Sequence, residues 1–310
     1  MIVLIALCVF VNVFHPRFLG ITSIANMSQQ AAFYGLIALG MVFMLSMGEI
    51  DLSVGGNFAF SAMTAALLAE QAWNPWIAGL AAIVVGGLLG ALNAVVSNVL
   101  RLPLIIVTLG SLSMYRGLTL VISSGEAHAA PASSAGSSYF TIFGGTVLGL
   151  PAATIAFVVA TGAVWVLYRR TRFGFAVRAI GSNPQAAKLS GYPIGRIRLQ
   201  VALLIGSLCG LSAAVSFGFF QSSDPNLGTG YELQVIAAAV IGGTALSGGK
   251  GNVVGAFIGA LIISVINGAL TAFGVSVNWT SFVTGAVIIG AVAIDSVIKR
   301  RQSPVLQRPV

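Results

Sequence analysis

Residues 76–96, WIAGLAAIVVGGLLGALNAVV, are one of several runs of about twenty apolar residues in this chain, and those runs decide what it can fold into. A backbone surrounded by hydrocarbon must satisfy its own hydrogen bonds, so such runs become transmembrane helices. The other spanning architecture, a β-barrel, needs strands of about ten residues that alternate apolar and polar. These runs do not alternate. Composition agrees: hydrophobic residues make up 57% of the 310, glycine adds 38 more, and charged residues are only 7%, where soluble chains carry about 25%. Fifteen basic and seven acidic side chains cannot solvate a soluble protein of this length. The net charge of +8 therefore does not mean nucleic-acid binding.

The expected fold is all-α: one polytopic membrane domain over residues 1–310, with about ten transmembrane helices, some broken or re-entrant. Segments 31–48, 53–70, 77–100, 103–123, 146–168, 199–220, 252–273 and 280–298 read as spans. Two runs are weaker: 1–14 is short, and 232–247 is short and broken by glycine. Met1 opens directly into IVLIALCVFVNVF with no basic residue ahead of it. Fourteen residues rise only about 21 Å, against a hydrocarbon core of about 30 Å, so a shortened start is expected.

Orientation follows the basic residues, which gather on the cytoplasmic side of membrane proteins. Residues 169–198 hold Arg169, Arg170, Arg172, Arg178, Lys188, Arg196 and Arg198 without an acid, and the tail adds Lys299, Arg300, Arg301 and Arg308. Both segments are expected to be cytoplasmic, so an even number of crossings separates them and 232–247 must cross. Lys250 and Arg101 then lie inside. Asp224 and the polar external loop 123–145 lie outside, and both termini are cytoplasmic.

The informative residues are the polar ones that interrupt the apolar pattern. The segment Gly48-Glu49-Ile50-Asp51-Leu52-Ser53-Val54-Gly55-Gly56-Asn57 places two acids, an amide and a hydroxyl between two apolar runs. A plain turn at the inner face is one reading. A broken helix lining a water-filled path is the other, favoured by the sequence distance to the nearest basic residue. Gly242–Gly251, GGTALSGGKG, is a second glycine-rich break in the other half of the chain, a pattern that points to a transport site. It fails the phosphate-loop pattern GxxxxGK[ST], with Thr244 where glycine is needed and Gly251 where a hydroxyl is needed. Arg116 falls inside a predicted helix, where it must pair with an acid or a carbonyl, snorkel outward, or face the path. Asn93, Asn98 and Asn267 read as hydrogen-bonding glue between helices. Gly86/Gly90, Gly206/Gly210 and Gly251/Gly255/Gly259 read as close helix contacts. Cys8 and Cys209 are far apart in apolar runs, so neither a disulfide nor a zinc site is expected. No nucleophile, base or metal cluster suggests an enzyme, and no cofactor is implied.

Four segments together, GEIDLSVGG with the run from Gln30 to Gly56, TLGSLSMYRGL (108–118), FGFAVRAIGSNPQAAKLSG (173–191) and GTGYELQVIAAAVIGGTALSGGKGNVVGAFIGALI (228–262), resemble the permease subunits of bacterial ribose-type sugar ABC importers. The resemblance runs from about Phe14 to Asp295. It implies that the chain pairs with a second permease copy or paralogue and docks an ATP-binding subunit on the inner face. It also implies that a small sugar, a monosaccharide, arrives from a periplasmic binding protein and crosses the bacterial inner membrane. The family's coupling segment maps onto Gly181, Asn183, Pro184, Ala186, Ala187, Ser190 and Gly191. The residues themselves fit a short helix there, since Asn183-Pro184 is a start signal and Gly191 a stop signal. Glu49 stands where the family usually has glycine or another small residue, Asn267-Gly268 where many members have two asparagines, and the basic leader is absent.

The expected function is one half of the pore of an ATP-driven importer, with Asp51, Ser53, Asn57 and Arg116 as polar path or gate residues. The rival is a secondary transporter driven by an ion gradient, or a channel, which would depend on Asp51 or Glu49 for proton coupling.

Overall fold

The structure is a computed structural model and describes residues 2–147, 149–276 and a few positions from 279 to 290. The predicted run 280–298 and the basic tail from Lys299 lie outside the described residues, apart from those few positions.

The described residues are mostly helical. In order come α1 (Ile2–Phe14), α2 (Ile21–Ser46), α3 (Val54–Glu70), α4 (Pro75–Leu100), α5 (Leu104–Ile122), α6 (Ser138–Phe143), α7 (Ala152–Arg170), α8 (Arg172–Ser182), α9 (Pro184–Leu189), α10 (Ile194–Phe220), α11 (Tyr231–Ile241) and α12 (Val253–Ala272). Among the described residues, α2, α4, α5, α7, α10 and α12 are long and apolar enough to cross a membrane. α3, with 17 residues, and the short apolar helices α1 and α11 stand beside them among the described residues.

Helix α2 is the axis of the bundle. Every residue from Ala31 to Met47 is buried, because α7, α10, α11 and α12 all pack on it. An all-apolar helix suits that place. In lipid the bundle is held by close packing rather than by hydrophobic transfer, so small residues mark the tightest contacts. Gly86 and Gly90 of α4 face Gly206 and Gly210 of α10 as their spacing predicted, and a Cβ on any of the four would run into the other helix's backbone.

Several boundaries differ from those predicted. Helix α2 begins ten residues earlier than the expected run, since Ser23, Asn26, Ser28, Gln29 and Gln30 are all helical despite their polarity. The run 146–168 does not start as helix: Thr146–Val147 and Leu150–Pro151 form a small antiparallel hairpin, and α7 follows Pro151. The segment 232–247 is helical only to Ile241, where Gly242, Gly243 and a turn at Thr244 stop it. The stretch 169–198 is mostly helix, not loop, and 123–145 carries the short α6.

Contacts between distant segments mark two ends of the bundle. At one end, Gly249 N–H donates to the Ser46 carbonyl (2.9 Å). At that same end Asn98 Nδ2 donates to the Gly195 carbonyl (3.0 Å), which brings together the 169–198 segment, Lys250 and the Arg101 turn. At the other end His128 and Ala129 pair with Ser223 and Ser222, and Trp76 Nε1 donates to Ser138 Oγ (3.0 Å).

Candidate functional site

The break after α2 is built from side-chain hydrogen bonds. Gly48, with φ +76°, turns the chain out of α2, and Asp51, only 2% exposed, prepares the start of α3. Asp51 Oδ1 accepts from the Ser53 N–H (2.8 Å) and the Ser53 hydroxyl (2.6 Å). The same hydroxyl oxygen accepts from Asn93 Nδ2 of α4 (2.8 Å). Asn93 Oδ1 in turn accepts from Ser111 Oγ (2.6 Å) and Tyr115 OH (2.8 Å) of α5. Ser111, Asn93 and Ser53 donate toward Asp51, while the Tyr115 hydroxyl is shared between Asn93 and the Leu89 carbonyl (2.9 Å), and the series ends on a group that only accepts when ionised. Thr108 Oγ1 adds a further tie, accepting from the Leu52 N–H (3.2 Å).

A cavity of about 300 Å³ between α4 and α5 reaches this network, with Asn93, Ser111 and Tyr115 on its wall. The rest of its lining is apolar apart from Gly110. Sequence reading placed Asn93 only as glue and did not single out Thr108, Ser111 or Tyr115. Their signal was present: Thr108, Ser111, Tyr115 and Thr119 recur at three- and four-residue steps, and all four are buried on one face of α5.

The structure brings Asp51 and Ser53 together but holds Asn57 and Arg116 elsewhere. Asn57 Nδ2 donates to the Gly86 carbonyl (2.9 Å) and its Oδ1 accepts from Ser61 (3.1 Å), which ties α3 to the α4–α10 contact. Arg116 is half-buried and donates to the carbonyls of Leu227 (2.9 Å) and Pro225 (3.4 Å). The carbonyl partner foreseen for it is thus the backbone just ahead of α11. There α11 begins close to α3, because a Cβ on Gly55 would touch both the Gly228 carbonyl and the Glu232 carboxylate.

Glu49 is paired with a base. Arg198 Nε donates to Glu49 Oε1 (2.7 Å), a second guanidinium nitrogen also pairs with that oxygen, and Arg198 Nη1 donates to Asn98 Oδ1 (2.7 Å). This corrects the argument from distance: the nearest basic residue is far in sequence and adjacent in space. The cluster joins the α2–α3 connection, the last turn of α4 and the first turn of α10.

The segment 181–191 contains the short helix that its start and stop signals predict. Asn183 Oδ1 accepts from the Ala186 N–H (3.0 Å), Pro184 is the first helical residue, and Gly191, with φ +83°, ends the turn after α9. Ser190 N–H donates to the Ala186 carbonyl (2.9 Å). Ala187 alone in α9 is buried, while Leu189 is 91% exposed, so the helix lies on the surface with one residue pointing inward. Gly181, in the preceding helix, meets the backbone of Ser46 and Gly249 with no room for a side chain. The end of α8, just ahead of the surface helix, therefore meets the glycine-rich turn and the end of α2 at one corner. Tyr168 braces it: its hydroxyl is 2.8 Å from Ser46 Oγ, and its ring lies 5.0 Å beneath the Arg178 guanidinium.

Residues 23–292 match the protein family described as branched-chain amino acid transport system / permease component. The ribose import permease protein RbsC of Bacillus subtilis (strain 168) is 38% identical over 94% of this chain and 90% of that protein. RbsC of Escherichia coli (strain K12) is 34% identical over 96% of this chain and 92% of its own length. The galactose/methyl galactoside import permease protein MglC of the same strain is also 34% identical, over 96% and 92%. No solved structure matches the chain.

Proposed function

This chain belongs to the family of transport-system permease components that includes those relatives, and from that premise we propose that it is one half of the pore of an ATP-binding-cassette importer for a monosaccharide. The observation that carries the reading is identity of 34–38% to ribose import permeases over nearly the full length of both chains. The sugar relatives decide the substrate class here, since the family description names amino acids while the similar full-length proteins are named for ribose and galactose.

In this reading the chain lies in the bacterial inner membrane as about ten helices, with both termini and the 169–198 segment cytoplasmic. It pairs with a second permease copy or a paralogue. ATP hydrolysis occurs in a separate ATP-binding subunit that grips α9 through its exposed face, and a periplasmic binding protein delivers the sugar. Movement of α9 passes through Gly181 to the end of α2 and the glycine-rich turn, and from there to Asp51 and Ser53. A tightly packed corner has discrete arrangements rather than continuous ones, which suits a part that must switch the path between outward and inward opening. Asp51, Ser53, Asn57 and Arg116 serve as polar path or gate residues, joined by Asn93, Ser111 and Tyr115 at the cavity wall.

The test is uptake by the assembled transporter in vesicles, with and without ATP, alongside a mild-detergent pull-down on a tag after Val310. An ATPase and a second permease in the pull-down, with ATP-dependent sugar uptake, support the reading. Ala187→Trp and Gly191→Trp are expected to abolish that uptake while the chain remains in the membrane; normal uptake in both would remove the coupling assignment. A chain that comes out alone and transports without ATP is a secondary carrier.

A further inference from the structure

We propose that Glu232, together with Arg116, is a contact for a sugar hydroxyl inside the path; the proposal rests on the sugar-pore reading above and deepens it. Helix α11 has 11 residues, about 16 Å, too short to cross a hydrocarbon core of about 30 Å. Its far end runs into the glycine-rich turn, and its start lies beside Gly55, about 22 Å along α3 from Glu70. Glu232, in the first turn of α11, therefore stands at depth, away from both ends of the bundle. The turn 224–230 ahead of it exposes Asn226 and Thr229. Irregular backbone at depth is tolerated where protein covers it or where it lines water, and ionisable residues there mark substrate pathways. Half-length helices that start inside the membrane are a common way to build a transport site.

An acceptor and a donor converge here without meeting. Glu232 Oε2 is buried and has no hydrogen-bond donor. The guanidinium of Arg116 makes its hydrogen bonds through Nη1, to the carbonyls of Leu227 and Pro225, which leaves Nη2 to face elsewhere. A Cβ on Gly55 would lie 2.5 Å from Glu232 Oε2 and 3.6 Å from Arg116 Nη2, so those two atoms are at most about 6 Å apart. Yet they form no ion pair; the ion pairs among the described residues are Arg198–Glu49 and His128–Glu70. A gap too wide for a direct bond and no wider than about 6 Å is what one oxygen spans with two charge-assisted hydrogen bonds of about 2.8 Å each. A hydroxyl does both jobs, accepting from the guanidinium and donating to the carboxylate. The two charges cancel, so the pair suits a neutral polyol rather than an ion. Both side chains are partly exposed.

Uptake by the assembled transporter in vesicles, with its binding protein and ribose as the probe, tests this. Wild-type ATP-dependent uptake reports on the pore reading, and its absence removes that reading and this one together. Glu232→Gln keeps the shape of the side chain, and Oε2 has no donor to lose. The variant should therefore keep wild-type thermal stability and assembly while ribose uptake falls about tenfold, the scale of one hydrogen bond to a charged group. A second arm compares ribose with 2-, 3- and 5-deoxyribose. For one of the three, the ratio of ribose uptake to analogue uptake should be about tenfold larger in the wild type than in Glu232→Gln; discrimination by the binding protein enters both ratios and cancels. Ribose uptake at the wild-type rate in Glu232→Gln, a loss of thermal stability in step with uptake, or ratios unchanged in the variant for all three analogues overturns the contact.

Discussion

The connections 47–53 and 242–252 lie side by side, joined by the Gly249 N–H to Ser46 carbonyl bond, yet they are held in opposite ways. The first depends on side chains: Asp51, Ser53, Asn93, Ser111 and Tyr115 in one hydrogen-bonded series, and Glu49 on Arg198. The second depends on having almost none. Gly243, Gly248 and Gly249 all take positive φ, and the turn presents bare backbone to Gly181. Polar side chains hold the first break through partners that can be removed one at a time. The second is a steric fit, which one added carbon destroys.

That difference sets an order of effects. Gly181→Val should be the most damaging substitution, because its side chain would overlap the Ser46 carbonyl and the Gly249 nitrogen, and backbone there cannot retreat. A loss of about 3 kcal/mol or more is expected, read as lost thermal stability of the solubilised protein. Asn93→Leu keeps the volume but removes the acceptor of Ser111, one of the two acceptors of Tyr115, which keeps the Leu89 carbonyl, and a donor to Ser53, which keeps Asp51, at about 1–3 kcal/mol, with sugar uptake falling alongside stability. If Asn93→Leu proved worse than Gly181→Val, the contrast between the two breaks would fail.

Next comes the ion pair. Arg198→Gln leaves the Glu49 carboxylate, with one oxygen already buried and unbonded, without its cation. It should therefore destabilise by about 1–2 kcal/mol, more than Glu49→Gln does. The double variant should be milder than the two single losses added together, and a double-mutant cycle in thermal unfolding measures that coupling.

The smallest effect is expected at the opposite end, where His128 Nδ1 lies 2.6 Å from Glu70 Oε2 and Nε2 lies 3.1 Å from the Ser123 carbonyl. Only the imidazolium donates to both acceptors. The hydrogen bond to Glu70, then that to Ser123, and the charges of Glu70 and Glu126 raise the His128 pKa above its ordinary 6.5. A raised pKa makes the contact fully present below pH 6.5 and loses it as pH climbs through the folded value. Hydrogen exchange at the Ala130 amide, which donates to the Gln221 carbonyl (2.8 Å), should show protection that declines over that rise, after correction for the intrinsic rate. In His128→Asn the decline should vanish.

Much of the fold was legible because its signals are local. The apolar runs announced the long helices, the Asn183-Pro184 and Gly191 signals announced α9, and the four-residue glycine steps announced the α4–α10 contact. Boundaries were less legible where tertiary packing overrode local character. Gln29 and Ser28 look like the end of an apolar span, but Gln29 is buried and Ser28 Oγ lies 2.9 Å from Thr154 Oγ1, so the helix continues through them. Of the candidate site, Asp51 and Ser53 could be found as polar residues out of place in an apolar chain. Their partners could not, since Asn93 and Tyr115 are ordinary residues until three helices bring them to one point.

The sequence by itself determined that this chain is a helical membrane protein, roughly where its six long apolar helices run and where the short surface helix lies. Each of those rests on hydrophobicity, charge or a cap within a few residues. Only the tertiary structure decided that Glu49 meets Arg198, that Asn93 completes the Asp51 series, and that Gly181, Ser46 and Gly249 share one corner. Those contacts join residues far apart in sequence, and what fixes them is the packing of whole helices, which no local pattern encodes.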